Sequence, residues 1–283
     1  MEEVEHQTSR DQSVDELVPL FVCGSPRSGT TLMGHYLGTS NVVLHLGEYG
    51  GLYLSLHIAP QMWMANKLSQ APQSPYVQRY YEELRQHAIS FPQTLAPPGT
   101  FRFWCDSAPM NLTIVKDLAE QFPNALYVVM VRHYRGVMQS LARAFAKGEM
   151  WAGRTWSDRA HKWTVFYENV PLLPTDRTVA VSYDKLCASP AETISELQER
   201  LGYFGVPPES LDTGVFAKSW ATDPTEQRPT IGSVDESGAL HLSPRADSGA
   251  LTLPPDVEDS ILPIVNNTRL LLKERFPRIA EYV

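Results

Sequence analysis

Gly24-Ser25-Pro26-Arg27-Ser28-Gly29-Thr30-Thr31 gathers on one short stretch the residue types that hold an anion: glycines, a cation and several hydroxyls. The glycines permit a tight turn in which backbone N–H groups come close to a ligand. A helix starting at the end of such a loop adds its unpaired amides and the positive end of its dipole. The stretch departs from the nucleotide-loop frame G-x-x-x-x-G-K-[ST] at one place. Thr30 stands where the Lys would be, and the cation is Arg27, three residues earlier. A second cation, Arg132, closes the apolar run 125–131, and Ser140 lies eight residues beyond it. A guanidinium grips two phosphate oxygens at once, and a hydroxyl on the next helix donates a further bond. A Mg-dependent nucleotide enzyme often places Asp after such a strand to hold the metal. Here Arg132 stands instead. The missing Lys and the missing Asp agree, and together they describe a pocket for two anionic groups held without a metal.

These residues need a scaffold that brings loop and Arg to one edge. Four short apolar runs, 18–23, 101–105, 125–131 and 178–182, read as strands. The run 125–131 is apolar throughout, as suits a strand covered on both faces of a parallel sheet. Helical spacing marks 110–122, the stripe Trp156, Ala160, Trp163, Tyr167 and Val170, and a final helix over about 255–274 that contains Pro263. Thr155 with Asp158 makes a capping-box start. Ser189-Pro190-Ala191-Glu192 predicts another start with Ser189 as N-cap and Gly202 or Gly205 as the stop. Alternating strands and helices predict an α/β fold: a single domain with a mainly parallel central sheet flanked by helices and a phosphate-binding loop of P-loop type. In such a sheet, ligands bind beyond the carboxyl ends of the strands, where Arg27 and Arg132 both fall.

The chain has 283 residues, enough for one sizeable α/β domain. We read 1–17, polar and acidic without an apolar core, as a flexible tail and 18–283 as the domain. Within the domain, 47–100 is aromatic and proline-spotted with one helix around 77–88, and 222–254 is a candidate lid or substrate loop. A net charge of −8 argues against nucleic acid as a general partner. No apolar run reaches the ~18 residues of a membrane span. Cys23, Cys105 and Cys187 are widely spaced and read as reduced thiols of a cytoplasmic protein. Arg135 and Arg143 read as solvated charges, and His133 as a structural neighbour of Arg132. The sequence carries no signal for oligomeric state.

The loop and the Arg132–Ser140 pair resemble the motifs of sulfotransferases that use 3′-phosphoadenosine 5′-phosphosulfate (PAPS). Residues 21–32 look like the family's 5′-phosphosulfate loop, with its Pro-Arg/Lys-Ser-Gly-Thr-Thr core. Residues 128–140 are similar to its 3′-phosphate motif. Val181-Ser182-Tyr183-Asp184-Lys185-Leu186 and Ser189-Pro190 look like its Tyr-Glu-Asp-Leu…Pro segment. The resemblance implies that Arg27, Ser28, Gly29, Thr30 and Thr31 hold the 5′ end. It implies that Arg132 and Ser140 hold the 3′-phosphate and that Tyr183 lies against the adenine side. The chain departs from the family at Asp106-Ser107-Ala108-Pro109, where Ser107 replaces a common Lys, and at Asp184, where Glu is usual. Arg27 would then carry more of the charge at the leaving group.

The implied reaction moves a sulfuryl group from PAPS to a hydroxyl, with no metal. It needs donors at the leaving oxygen and a base at the attacking one. Glu48, in Leu46-Gly47-Glu48-Tyr49, is the favoured base, because a Gly-Glu at this distance resembles the tyrosylprotein sulfotransferases and several bacterial relatives. His45, His57 and Asp106 are the alternatives, and a helix cap or an Arg partner is the structural reading of Glu48. Residues 52–56 with Met62, Trp63 and Met64 suit either an apolar acceptor pocket or a plain core helix. The expected acceptor is a small-molecule hydroxyl compound. The competing functions are a P-loop kinase or other nucleotide phosphotransferase, and a catalytically inactive nucleotide-binding relative.

Overall fold

The computed structural model describes residues 17–68, 75–211, 233–234, 240–241 and 252–283. The chain runs β1 (Val18–Gly24), α1 (Thr30–Leu37), β2 (Val43–His45), α2 (Gly51–Tyr53), α3 (Ala59–Leu68), α4 (Pro75–Leu95), β3 (Phe103–Asp106) and α5 (Val115–Gln121). It continues through β4 (Leu126–Val131), α6 (Tyr134–Ala146), α7 (Trp156–Tyr167), β5 (Thr178–Ser182), α8 (Tyr183–Ala188), α9 (Pro190–Gly202), β6 (Ser233–Val234), β7 (Leu240–His241) and α10 (Pro255–Arg275). A π-helical segment, Leu54–Ile58, joins α2 to α3.

The first five strands form one sheet in the order β2-β3-β1-β4-β5, every pair parallel. The expected fold class is therefore the observed one. Successive side chains of a strand face opposite sides, and the core divides accordingly. Phe21, Cys23, Tyr127, Val129 and Val131 face one side, against Trp163 and Tyr167 of α7 and Ile261 and Val265 of α10. Leu20, Val22, Val128 and Met130 face the other, against Leu32, Met33 and Tyr36 of α1 and Ile194, Leu197 and Leu201 of α9. Each large apolar side chain buried in this way stabilises the fold by about 1.5–3 kcal/mol. From the central β1 the chain passes first to β2 and β3 on one side and later to β4 and β5 on the other. That reversal opens a crevice beyond the carboxyl end of β1, which is where such sheets take ligands.

Several local expectations need correction. β2 is a strand the periodicity does not reveal, since it has only three residues. Residues 109–114 wind as a 3₁₀ segment before α5 begins at Val115. Ser189 makes no side-chain cap; it sits in the joint between α8 and α9, its N–H already bonded to Lys185 O, and its carbonyl accepts from Thr193 Oγ1 at 2.8 Å. Ser182, not flagged by the sequence, does cap, accepting from Lys185 N at 3.1 Å. The Thr155–Asp158 capping box is present in both directions. Leu17, assigned to the tail, is buried and exchanges hydrogen bonds with the Gln93 amide. The rest of the tail, residues 1–16, lies outside the described residues, as do most of 222–254. Within that segment β6 and β7 pair antiparallel. No helix among the described residues is long and apolar enough to cross a membrane.

Candidate active site

One end of the crevice is built where β1 and β4 end side by side, with Gly24 opposite Met130. A Cβ on Gly24 would stand 2.4 Å from Met130 O, so only glycine lets the loop leave the sheet so close to β4. Gly29 precedes α1 with φ +102°, and a Cβ there would meet the Tyr183 ring at 2.7 Å. Arg27 also has a left-handed φ, +72°. The Ser28 hydroxyl is buried beside the Tyr167 hydroxyl and makes no hydrogen bond of ordinary geometry among the described residues. A buried hydroxyl in that state is costly unless a ligand satisfies it.

Long-range contacts gather the remaining expected residues around this loop. Arg27 Nε donates to Ser140 Oγ on α6 at 3.0 Å. Arg132 Nη1 donates to Arg27 O at 3.0 Å, and its guanidinium lies over the Tyr183 ring, 4.2 Å from the centroid. Burial pushes the Tyr183 phenol up to about 12, so the ring stays neutral beneath the cation. Trp163 Nε1 donates to Arg132 O at 3.1 Å and the Tyr167 hydroxyl to Met130 O at 2.8 Å, pinning the strand end from α7. His133 caps α6 by accepting from Arg135 N, and its own backbone N–H donates to Asp184 Oδ2 at 2.8 Å. Asp184 thus keeps a structural task despite replacing Glu. Arg135 is not a solvated charge. Glu258, in the first turn of α10, takes Arg135 in a bidentate pair and also bonds the Tyr134 hydroxyl. Arg143 is half-buried on α6.

Two carboxyl groups stand near the carboxyl ends of β2 and β3. Glu48 is exposed, and Thr31 Oγ1 on α1 donates to its Oε1 at 3.1 Å. That threonine, rather than an Arg or a helix end, is the partner of its carboxylate among the described residues. Of its rivals, Asp106 is fully buried and its Oδ1 accepts from Tyr49 N at 3.0 Å and Ala108 N at 2.9 Å. Burial raises its carboxyl to about 7, against the pull of those two N–H groups. His45 Nε2 lies 3.2 Å from Ser107 Oγ, and the His45 ring meets that of His35 edge-on at 5.1 Å. Burial, with His35 adding to it, lowers the His45 imidazole to about 4. His57 packs against Tyr53 and lies 2.9 Å from Gln61 Nε2. The stretch after Glu48 divides: Leu52 belongs to the core, while Leu54, Met62 and Met64 are exposed.

Sequence reasoning did not find Ser107 as a partner of the Glu48 turn. Its N–H and Oγ both donate to Gly47 O, at 2.8 and 3.1 Å. The absent Lys made that position conspicuous, but the bond it makes is visible only in space. Cys23, Cys105 and Cys187 are free thiols, and burial raises all three. Among the described residues no cluster of potential ligands could hold a metal.

Solved structures that share this fold include three sulfotransferases. A sulfotransferase domain from the Synechococcus PCC 7002 olefin synthase is 20% identical, with a TM-score of 0.55, over 90% of this chain and 97% of that one. A sulfotransferase domain from the curacin biosynthetic pathway is 19% identical, with a TM-score of 0.53, over 89% and 98%. A sulfotransferase from Mycobacterium avium is 12% identical, with a TM-score of 0.50, over 91% and 76%. No curated protein sequence matches. The model of the sulfotransferase family matches residues 19–204, a span from β1 through the end of α9 that includes both ends of the crevice. The chain belongs to the sulfotransferase family.

Proposed function

We propose that this protein transfers a sulfuryl group from PAPS to the hydroxyl of a small molecule in the cytoplasm. The observation that carries the donor is the joining of Arg27, Ser140, Arg132 and Tyr183 at the ends of β1 and β4. One cation sits in the loop, a second sits across from it over an aromatic ring, and a hydroxyl bonds the first. That is a layout suited to a nucleotide with separate 5′ and 3′ anionic groups. The buried Ser28 hydroxyl fits the same ligand, as do the first amides of α1.

The bound nucleotide supplies the activated sulfuryl group. The acceptor oxygen attacks the sulfur in line; the new O–S bond forms as the bond to the bridging phosphate oxygen breaks, and adenosine 3′,5′-bisphosphate leaves with that electron pair. Glu48 takes the acceptor's proton. Thr31 holds the Glu48 carboxylate toward the nucleotide loop, which keeps base and leaving group in one frame. Ser107 provides no cation, and Arg27 is the fixed positive charge within the loop. The exposed Leu54, Met62 and Met64, downstream of Glu48, suit an acceptor with an apolar body.

Thermal unfolding with adenosine 3′,5′-bisphosphate, compared with ATP–Mg, tests the donor. At 100 times its Kd a ligand stabilises by about 2.7 kcal/mol. We expect this from the bisphosphate. Stabilisation by ATP–Mg alone would return the chain to the kinase reading. Bisphosphate binding without sulfate transfer to any member of a broad hydroxyl panel would favour an inactive relative.

A further inference from the structure

We propose that Asp106 and Ser107 are positioning residues that clamp the peptide on either side of Glu48 and so aim its carboxylate. The proposal rests on Glu48 being the base. Three consecutive residues at the end of β3 bond the 46–49 turn. Cys105 O accepts from Leu46 N at 2.9 Å. Ser107 donates to Gly47 O twice, from its N–H at 2.8 Å and from its hydroxyl at 3.1 Å. Asp106 Oδ1 accepts from Tyr49 N at 3.0 Å. Glu48 itself is the residue the clamp leaves out, exposed between two held neighbours.

The turn needs holding. Gly47 has φ +71°, and a Cβ there would meet nothing within 4 Å. The glycine serves backbone conformation and not space, and the bonds from the end of β3 hold that conformation. Asp106 and Ser107 are both fully buried, so neither can touch an acceptor in this arrangement. His45 Nε2 lies against the Ser107 hydroxyl as well, a second contact that fixes the hydroxyl while it bonds Gly47.

Four variants decide it: Glu48→Gln, Ser107→Ala, Asp106→Ala and Asp106→Asn, each measured for kcat, KM, bisphosphate Kd and melting temperature. We expect Ser107→Ala to lower kcat about 5- to 20-fold and Asp106→Ala about 20- to 100-fold, with bisphosphate Kd within about twofold of wild type, in the range that misplacing a catalytic group produces. Asn keeps the acceptor oxygen, so Asp106→Asn should retain at least about a third of wild-type kcat. In a Glu48→Gln background neither clamp variant should lower kcat further, because there is no base left to aim. The proposal is overturned if Ser107→Ala keeps kcat within about twofold, or if Asp106→Asn is as inactive as Glu48→Gln, which would make Asp106 a chemical participant. Should Asp106→Ala fail to fold, Ser107→Ala and Asp106→Asn still separate the two outcomes. Full activity of Glu48→Gln would remove the base, a failure distinct from that of the clamp.

Discussion

The two ends of the crevice are made in opposite ways. At the end proposed for the nucleotide, long side chains from distant elements meet: Arg27 from the loop, Ser140 from α6, Arg132 from the end of β4 and Tyr183 from α8. At the end proposed for the acceptor, backbone is held by backbone and by short buried side chains, and one carboxylate projects. The difference teaches what each end must do. Binding a nucleotide with two anionic groups needs positive charge and tolerates several compensating contacts. Aiming a base needs a rigid turn and has one point of failure.

The contrast is sharpest in kinetics. Glu48→Gln should lower kcat by about 10²–10⁴-fold, the usual worth of general base catalysis, while bisphosphate Kd stays within about threefold; steady-state kinetics beside calorimetric titration measures both. Arg132→Met should do the reverse. Loss of a charge-assisted bond at about 1.5–3 kcal/mol weakens nucleotide binding some 10- to 150-fold, with kcat at saturating donor far less affected. If both variants changed Kd and kcat alike, the two ends would not be separable. Gly29→Ala drives a methyl into the Tyr183 ring at an unfavourable φ and should cost about 1–3 kcal/mol in nucleotide binding or stability, read by titration and melting.

A further effect, read by pH, sets two groups beside the 46–49 turn against each other. The Asp106 carboxyl ordinarily titrates at 3.8 but at about 7 in the fold. The folded state therefore holds the proton that the unfolded state has lost, and stability from this group declines as pH rises from about 4 to about 7. Asp106→Asn should gain on wild type in melting temperature between about pH 5 and pH 8. His45 runs oppositely: its imidazole falls from 6.5 to about 4, so stability declines as pH drops through that window. An unchanged difference between wild type and Asp106→Asn across pH would mean Asp106 is not the buried acid described.

Legibility followed the same division. The nucleotide end announces itself locally, because glycine spacing, strand ends and a following cation are written along the chain. The parallel sheet was equally readable from its continuous apolar runs. At the other end the sequence singled out Glu48, His45, Asp106 and Ser107 separately, but not how they are joined. Ser107, Asp106 and Gly47 come together through pairing of β2 with β3, and β2 is too short to leave a period. The Ser189 reading failed because two helices meet there, and Ser189 closes α8 as well as preceding α9.

Arg27 sits in a conformation that L-residues with side chains avoid, at φ +72°. A glycine would be at ease there, and the left-handed region costs other residues of order 1 kcal/mol. The backbone alone would thus favour glycine at this position; the arginine side chain is used for its bond to Ser140 and, on the proposed reading, for the ligand. An Arg27→Gly chain should melt within about 1 kcal/mol of wild type while losing its hold on the leaving group. Sturdiness and usefulness part company at a single residue, and a library ranked by heat resistance would discard the very side chain that the loop is bent to present.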